Sequence, residues 1–205
     1  KRTAALIFTK ENLTVSFTAE DDGLELLQKP MTEFVAKLAQ LQGKDAVRTF
    51  RPVKEKTAYT SSSQVQYVAR CGNYRKAGYE YTGALKVLKI IFSYDYLWLN
   101  VRVKGGAYGC MSGFRRSGES YFVSYRDPHL RRTLEVYQGV PEYVRTFQAD
   151  ERELTKYIIG TISGKDVPRT PQSQGALGRM AYFRGLTVEM LQKERDQILD
   201  ATVED

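Results

Sequence analysis

Leu6–Ile7–Phe8 and Leu13 to Phe17 are short apolar or alternating runs joined near Lys10–Glu11–Asn12, and they predict two short strands. Asp21–Asp22–Gly23 follows, and then Met31, Phe34, Val35, Leu38 and Leu41 recur at helical spacing up to Gly43. Residues 43–63 hold Gly43, Pro52 and the polar run Thr60 to Ser63, which predicts a connection between two parts of the chain. Gln64 to Cys71 alternates, with Val65, Tyr67, Ala69 and Cys71 on one side and Gln64, Gln66 and Arg70 on the other. That is the pattern of a strand with one buried face.

Gly72 to Tyr81 is rich in tyrosine and glycine and reads as a loop. Gly83 to Leu99 is strongly apolar, relieved by one stripe of Lys86, Lys89 and Ser93, which predicts a largely buried helix. Val101 to Arg116 and Glu119 to Arg126 flank Arg116–Ser117–Gly118 and predict an antiparallel hairpin, with Tyr121, Val123 and Tyr125 alternating against Phe122, Ser124 and Arg126. Asp127–Pro128 supplies an N-cap and a first-turn proline for a helix through Leu134, Tyr137, Val144 and Phe147. Asp150 with Glu153 has capping-box spacing ahead of Leu154, Tyr157, Ile158 and Ile162. A loop over Ser163–Gly175, a short helix over Ala176–Phe183 and a last helix from Thr187 to about Ala201 complete the chain. Strands precede helices, so the expected class is α+β, a mainly antiparallel sheet packed against several helices.

The chain has 205 residues, 42% of them hydrophobic and 12% aromatic, enough to fill a sizeable core. Its first residue is Lys1 and no secretory pattern follows, so it reads as a piece of a longer polypeptide. The net charge of +7 permits an anionic partner without requiring one. The apolar run Ile90 to Leu99 is too short to span a bilayer. Cys71 and Cys110 are too few for a disulfide scaffold and read as buried thiols in a reducing compartment. One histidine, His129, leaves no set of residues with zinc-ligand spacing, and its place after Asp127–Pro128 suits a helix start better than a Ser–His–Asp triad. No phosphate-binding glycine loop is present. Gly105–Gly106–x–x–Gly109 follows a helix, where a dinucleotide fingerprint would leave a strand.

The chemistry concentrates in Val101–Arg102–Val103–Lys104–Gly105–Gly106–Ala107–Tyr108–Gly109. If this stretch is extended, residues 102, 104, 106 and 108 share a face, and Arg102 and Tyr108 aim donors at one ligand while the glycines admit another backbone. The alternative is a bulged hairpin with a surface arginine and a packed tyrosine.

This stretch, the preceding helix, Ser112–Gly113–Phe114 and Ser124–Tyr125–Arg126–Asp127–Pro128 resemble the carboxy-terminal part of presequence-protease-type zinc metallopeptidases of the pitrilysin/insulinase clan. Thr161 to Asp166 and Gln174–Gly175–Ala176 fit the same stretch, so the resemblance covers about residues 45–205. It implies an α/β unit that is a non-catalytic copy, one of four related units forming two bowls around a peptide. Zinc is then held by the amino-terminal half on an inverted His-x-x-Glu-His helix, a string this chain lacks; Ala84 to Leu88 stand in its place. Arg102 and Tyr108 become the substrate-binding residues, reaching the peptide near the scissile bond. The implied organisation is residues 1–42 as a strand–strand–helix link to the preceding unit, 43–63 as connection and 64–205 as the carboxy-terminal peptidase-like domain. This fragment alone is then inactive, with no catalytic or metal residue of its own. Its partners are the amino-terminal half of the same polypeptide and unstructured peptides, with no nucleic acid and no membrane. Two other readings stay open, a purely structural chamber domain and a single-strand nucleic-acid module built on the basic–aromatic stretches Tyr74–Arg75–Lys76 and Tyr121 to Arg126.

Overall fold

A computed structural model describes residues 2–38, 40, 51, 53, 59–60 and 62–205. They fall into two compact units, one of residues 1–59 with 168–186 and one of residues 60–167 with 187–205.

In the first unit, helix α1 (Arg2–Ile7) and helix α2 (Asp21–Lys37) flank an extended segment. This corrects the sequence expectation of two strands. Arg2–Thr3–Ala4–Ala5–Leu6 carries good helix formers. Val15 and Phe17 line an apolar groove with Leu24, Leu27, Met31 and Val35 of α2, and both stay about half exposed, at 45% and 48%. Helix α2 begins ten residues ahead of Met31, at the Asp21–Asp22 pair, whose negative charge suits a helix N-terminus. Leu41, Gly43 and most of the 43–63 connection lie outside the described residues. Helix α6 (Pro171–Arg184) starts five residues before Ala176, because Thr170 caps it by accepting from the Ser173 N–H and Pro171 fits its first turn.

The second unit is the α+β body. Strands β1 (Gln66–Asn73), β2 (Gly109–Phe114) and β3 (Glu119–Asp127) form an antiparallel sheet in the order β1-β3-β2. Helices α3 (Ala84–Tyr94) and α4 (Leu130–Arg145) pack on one face, and α5 (Glu151–Ser163) and α7 (Val188–Leu199) extend that layer. The expected hairpin is present, though its first strand starts at Gly109. The Asp150 cap is also present, its carboxylate accepting from the Glu153 N–H at 2.7 Å.

Phe92 of α3 is fully buried at the centre of the main core, with Phe122 edge-on at 5.6 Å and Val68, Leu97, Val101, Tyr137 and Val140 around it. A second cluster, Val87, Ile91, Ile198 and Ala201, joins α3 to α5 and α7.

The buried face of β1 is the reverse of the one its alternation predicts. Val68 faces the helices, while Tyr67, Ala69 and Cys71 lie on the open side, Tyr67 being 77% exposed. Cys71 is therefore exposed and Cys110 only half-buried, correcting the expectation of two buried thiols. Helix α4 decides the face: the Tyr137 hydroxyl donates to the Val68 carbonyl, and the Tyr137 ring stacks on Phe122 at 5.7 Å.

Glu194 of α7, which the sequence pattern does not single out, ties the unit together. Its side chain is 6% exposed and accepts from Lys165 at 2.5 Å, Arg116 at 2.6 Å and the Tyr81 hydroxyl at 2.9 Å, with Lys86 at 3.6 Å. Burial alone would raise its pKa, but the Lys165 hydrogen bond, the Lys86 charge and the Tyr81 hydrogen bond hold it below the usual glutamate value. A carboxyl that ionises more readily folded than unfolded stabilises the fold above the unfolded value of about 4.3, and that stability is lost as pH falls through the lower folded value. Glu194→Gln should cost about 2 kcal/mol at neutral pH. Urea unfolding of both proteins from pH 7 to pH 3 should show the gap narrowing below pH about 4.

Candidate functional site

The expected continuous helix Gly83–Leu99 breaks at Asp95, where the backbone leaves helical geometry, and then resumes as a π-helical turn over Trp98–Val103. The Tyr143 hydroxyl donates to the Asp95 carboxylate at 2.7 Å and fixes the break. In the π turn the Lys104 N–H bonds to the Leu99 carbonyl at 2.9 Å, five residues back, which places an extra residue in the turn. Arg102 is thus helical, and the extended 102–108 face expected from sequence does not form.

Arg102 and Tyr108 nonetheless meet, because the chain doubles back between them. The Ala107 N–H reaches the Val101 carbonyl at 3.1 Å. A side chain at Gly105 would have its Cβ 2.4 Å from that same carbonyl, and Gly106 adopts φ 76°, so the glycine pair serves the chain's own reversal. Tyr108 is then 58% exposed, with the Arg102 guanidinium 5.8 Å from its ring centroid and donating to its carbonyl oxygen. The other side of Arg102 stacks on Trp98 at 4.4 Å, the i, i+4 neighbour that sequence reading missed. Trp98 has no signal in the binary pattern, since it reads as one more apolar position of a buried helix.

Two further side chains complete the patch. Tyr125 lies edge-on to Tyr108 at 5.5 Å, and the Arg126 guanidinium lies 5.3 Å from the same ring. Tyr125 can rest there because residue 109 is glycine; a Cβ at Gly109 would be 2.4 Å from the Tyr125 ring. No described residue gives or takes a hydrogen bond at the Tyr108 hydroxyl, so it faces outward as a free directional donor. The patch therefore offers one phenol and two guanidiniums to an electron-rich group.

Asp127 ends β3 rather than capping a helix. It is fully buried and accepts from Ser124 Oγ at 2.5 Å, Thr133 Oγ1 at 2.7 Å and the His129 N–H at 2.8 Å. His129 takes the cap position, and α4 starts at Leu130. Serine, histidine and aspartate are close here, but the histidine contributes its backbone and its imidazole takes no part. Among the described residues no three His, Cys, Asp or Glu side chains gather as a metal-binding set. No described helix is long and apolar enough to cross a membrane.

Residues 56–205 match the family described as the PreP C-terminal domain. The chain is 43% identical over 204 residues to Protein HypA of Clostridium perfringens, covering 100% of this chain and 21% of that protein. It is 33% identical over 201 residues to presequence protease 1, chloroplastic/mitochondrial, of Arabidopsis thaliana, covering 97% of this chain and 19% of that protein. Identity to the mitochondrial presequence protease of Aspergillus oryzae is 29% over 202 residues, again 97% and 19% of the two chains. The chain thus spans about a fifth of the length of the curated relatives it matches.

Proposed function

The chain belongs to the presequence-protease family, whose carboxy-terminal domain it carries, and we propose that it serves an oligopeptide-degrading zinc metallopeptidase as the wall that presents Arg102 and Tyr108 to the substrate. The observation that carries this reading is the Tyr108 hydroxyl, exposed, unpartnered among the described residues and steadied by Arg102 on a π turn. In peptide hydrolysis negative charge grows on the scissile carbonyl oxygen, and donors already in place stabilise it without reorganising. Tyr108 supplies a neutral hydroxyl for that oxygen or its neighbour. Arg102 supplies a permanent charge, and its stacking on Trp98 limits the freedom it loses when peptide binds.

Among the described residues no histidine, cysteine or carboxylate side chains gather as a ligand set, and the single histidine stands at the N-cap position of α4. Zinc belongs in this proposal to the amino-terminal half of the same polypeptide, and the chain's partners are that half and unstructured peptides. A second reading, a purely structural wall, is favoured by the internal contacts of Arg102 with Trp98 and the Tyr108 carbonyl.

The full-length polypeptide should cleave an unstructured peptide, while this chain alone at equal concentration should not. Stoichiometric zinc and cleavage in the pure chain would overturn the division of labour. Binding to single-stranded nucleic acid that weakens steeply with the logarithm of salt concentration would instead favour the nucleic-acid reading.

A further inference from the structure

Ser124–Tyr125–Arg126–Asp127–Pro128 has, apart from its resemblance, no role in the function proposed above. Arg126 is the one non-glycine residue with positive φ among the described residues, at 47°. A side chain in the left-handed region costs energy that the surrounding structure must hold in place. Ser124 and Asp127 do the holding. They sit three apart yet both are fully buried and bonded to each other at 2.5 Å. In a regular strand residues three apart face opposite ways, so an extra residue must be accommodated between them. The register shows it, passing from Gln66↔Asp127 to Val68↔Ser124. The bulge sends the consecutive pair Tyr125 and Arg126 to Tyr108.

The two guanidiniums beside Tyr108 are not equivalent. Arg102 already donates to the Tyr108 carbonyl and stacks on Trp98. Arg126 is exposed; its backbone carbonyl accepts from the Tyr108 N–H at 3.3 Å, while its guanidinium lies over the Tyr108 ring with no acceptor at its donors among the described residues. A solvated surface arginine needs neither a bulge nor a strained backbone. We propose that Arg126 is a third substrate-contacting residue, its guanidinium binding an oxygen acceptor of the peptide beside the one that Tyr108 meets. The inference rests on the reading of Tyr108 as a substrate contact. The acceptor is a backbone carbonyl or an acidic side chain of the peptide, which present the same chemistry to the planar fork.

The test uses the full-length polypeptide with Arg126→Ala, Arg126→Lys and Arg126→Gly, beside Tyr108→Phe as reference. Arg126→Ala should raise KM roughly tenfold or more with kcat little changed, the signature of a lost binding contact. Lysine should restore part of the loss, keeping the charge without the fork. Glycine should show the same kinetic loss as alanine but unfold at a higher temperature than alanine, since it adopts positive φ freely. Peptides differing by Asp or Asn near the cleaved bond separate the acceptors. A KM penalty confined to the Asp peptide identifies a carboxylate, and a uniform penalty identifies a backbone carbonyl; both support the contact. Unchanged KM in all three variants, with Tyr108→Phe still impaired, overturns the inference and leaves the proposed function standing. Loss of kcat and melting temperature together in alanine and glycine alike also overturns it, because the arginine then serves the fold. If Tyr108→Phe is unimpaired as well, both readings fall together.

Discussion

Tyr108→Phe in the full-length polypeptide is expected to slow cleavage of an unstructured peptide about a hundredfold or more, with fold and zinc content unchanged. The size follows from the loss of one preorganised donor to a developing oxyanion, which costs about 3–4 kcal/mol of barrier. Phenylalanine keeps the ring, and with it the edge contact to Tyr125 and the cation contacts from Arg102 and Arg126. It removes only a hydroxyl that no described residue bonds, so the fold loses little and the effect falls on chemistry. Turnover and kcat/KM should drop by similar factors, because the contact is made in the transition state. Arg102→Ala should slow cleavage too, but that change also releases Trp98 and the Tyr108 carbonyl. Arg102→Lys is its control, since it keeps the charge and loses the planar stack. A Tyr108→Phe rate within threefold of wild type would leave Tyr108 as packing and the domain as a wall.

Asp127→Ala should destabilise this chain by about 3–5 kcal/mol, measured by urea unfolding followed through near-ultraviolet tyrosine signals. The carboxylate takes three hydrogen bonds, two of them from the buried hydroxyls of Ser124 and Thr133. Alanine strands both hydroxyls without an acceptor, at about 1–3 kcal/mol each. It also frees the backbone that holds Arg126 in the left-handed region. Asp127→Asn keeps an acceptor oxygen without the charge and should cost about half as much. A loss below about 1 kcal/mol would mean that water replaces the carboxylate, and that the bulge is held by the strand ladder alone.

Local capping and turn chemistry carried much of the fold into view. The Asp150 cap, the Arg116–Ser117–Gly118 turn and the final helix follow from residues within a few positions of one another. Some misreadings were local, as at the Thr170–Pro171 start of α6, and others come from contacts distant in sequence. The face of β1 was set by α4, about seventy positions away, against its own apolar alternation. The strands expected at Leu6 and Leu13 have no partner in the described sheet, and Val15 and Phe17 of the second line an open groove beside α2. At the site, Arg102 and Tyr108 stood out, but the geometry joining them did not. A π turn and a reversal through Gly105–Gly106 have no period that a binary pattern can show. Arg126 was hidden more simply: strict alternation puts it with Phe122 and Ser124, and the bulge turns it to the other side.

Photocrosslinking at position 108 tests the central claim most directly. A benzoylphenylalanine replaces Tyr108 in the full-length polypeptide, turnover is stopped with a chelator, and an unstructured peptide is added before irradiation. The same residue placed at Tyr79 or Tyr94, which are 70% and 73% exposed, controls for chance encounter. The account predicts a peptide adduct at 108, competed by unlabelled peptide and absent from both controls. Equal labelling at all three positions, or none at 108, would contradict it.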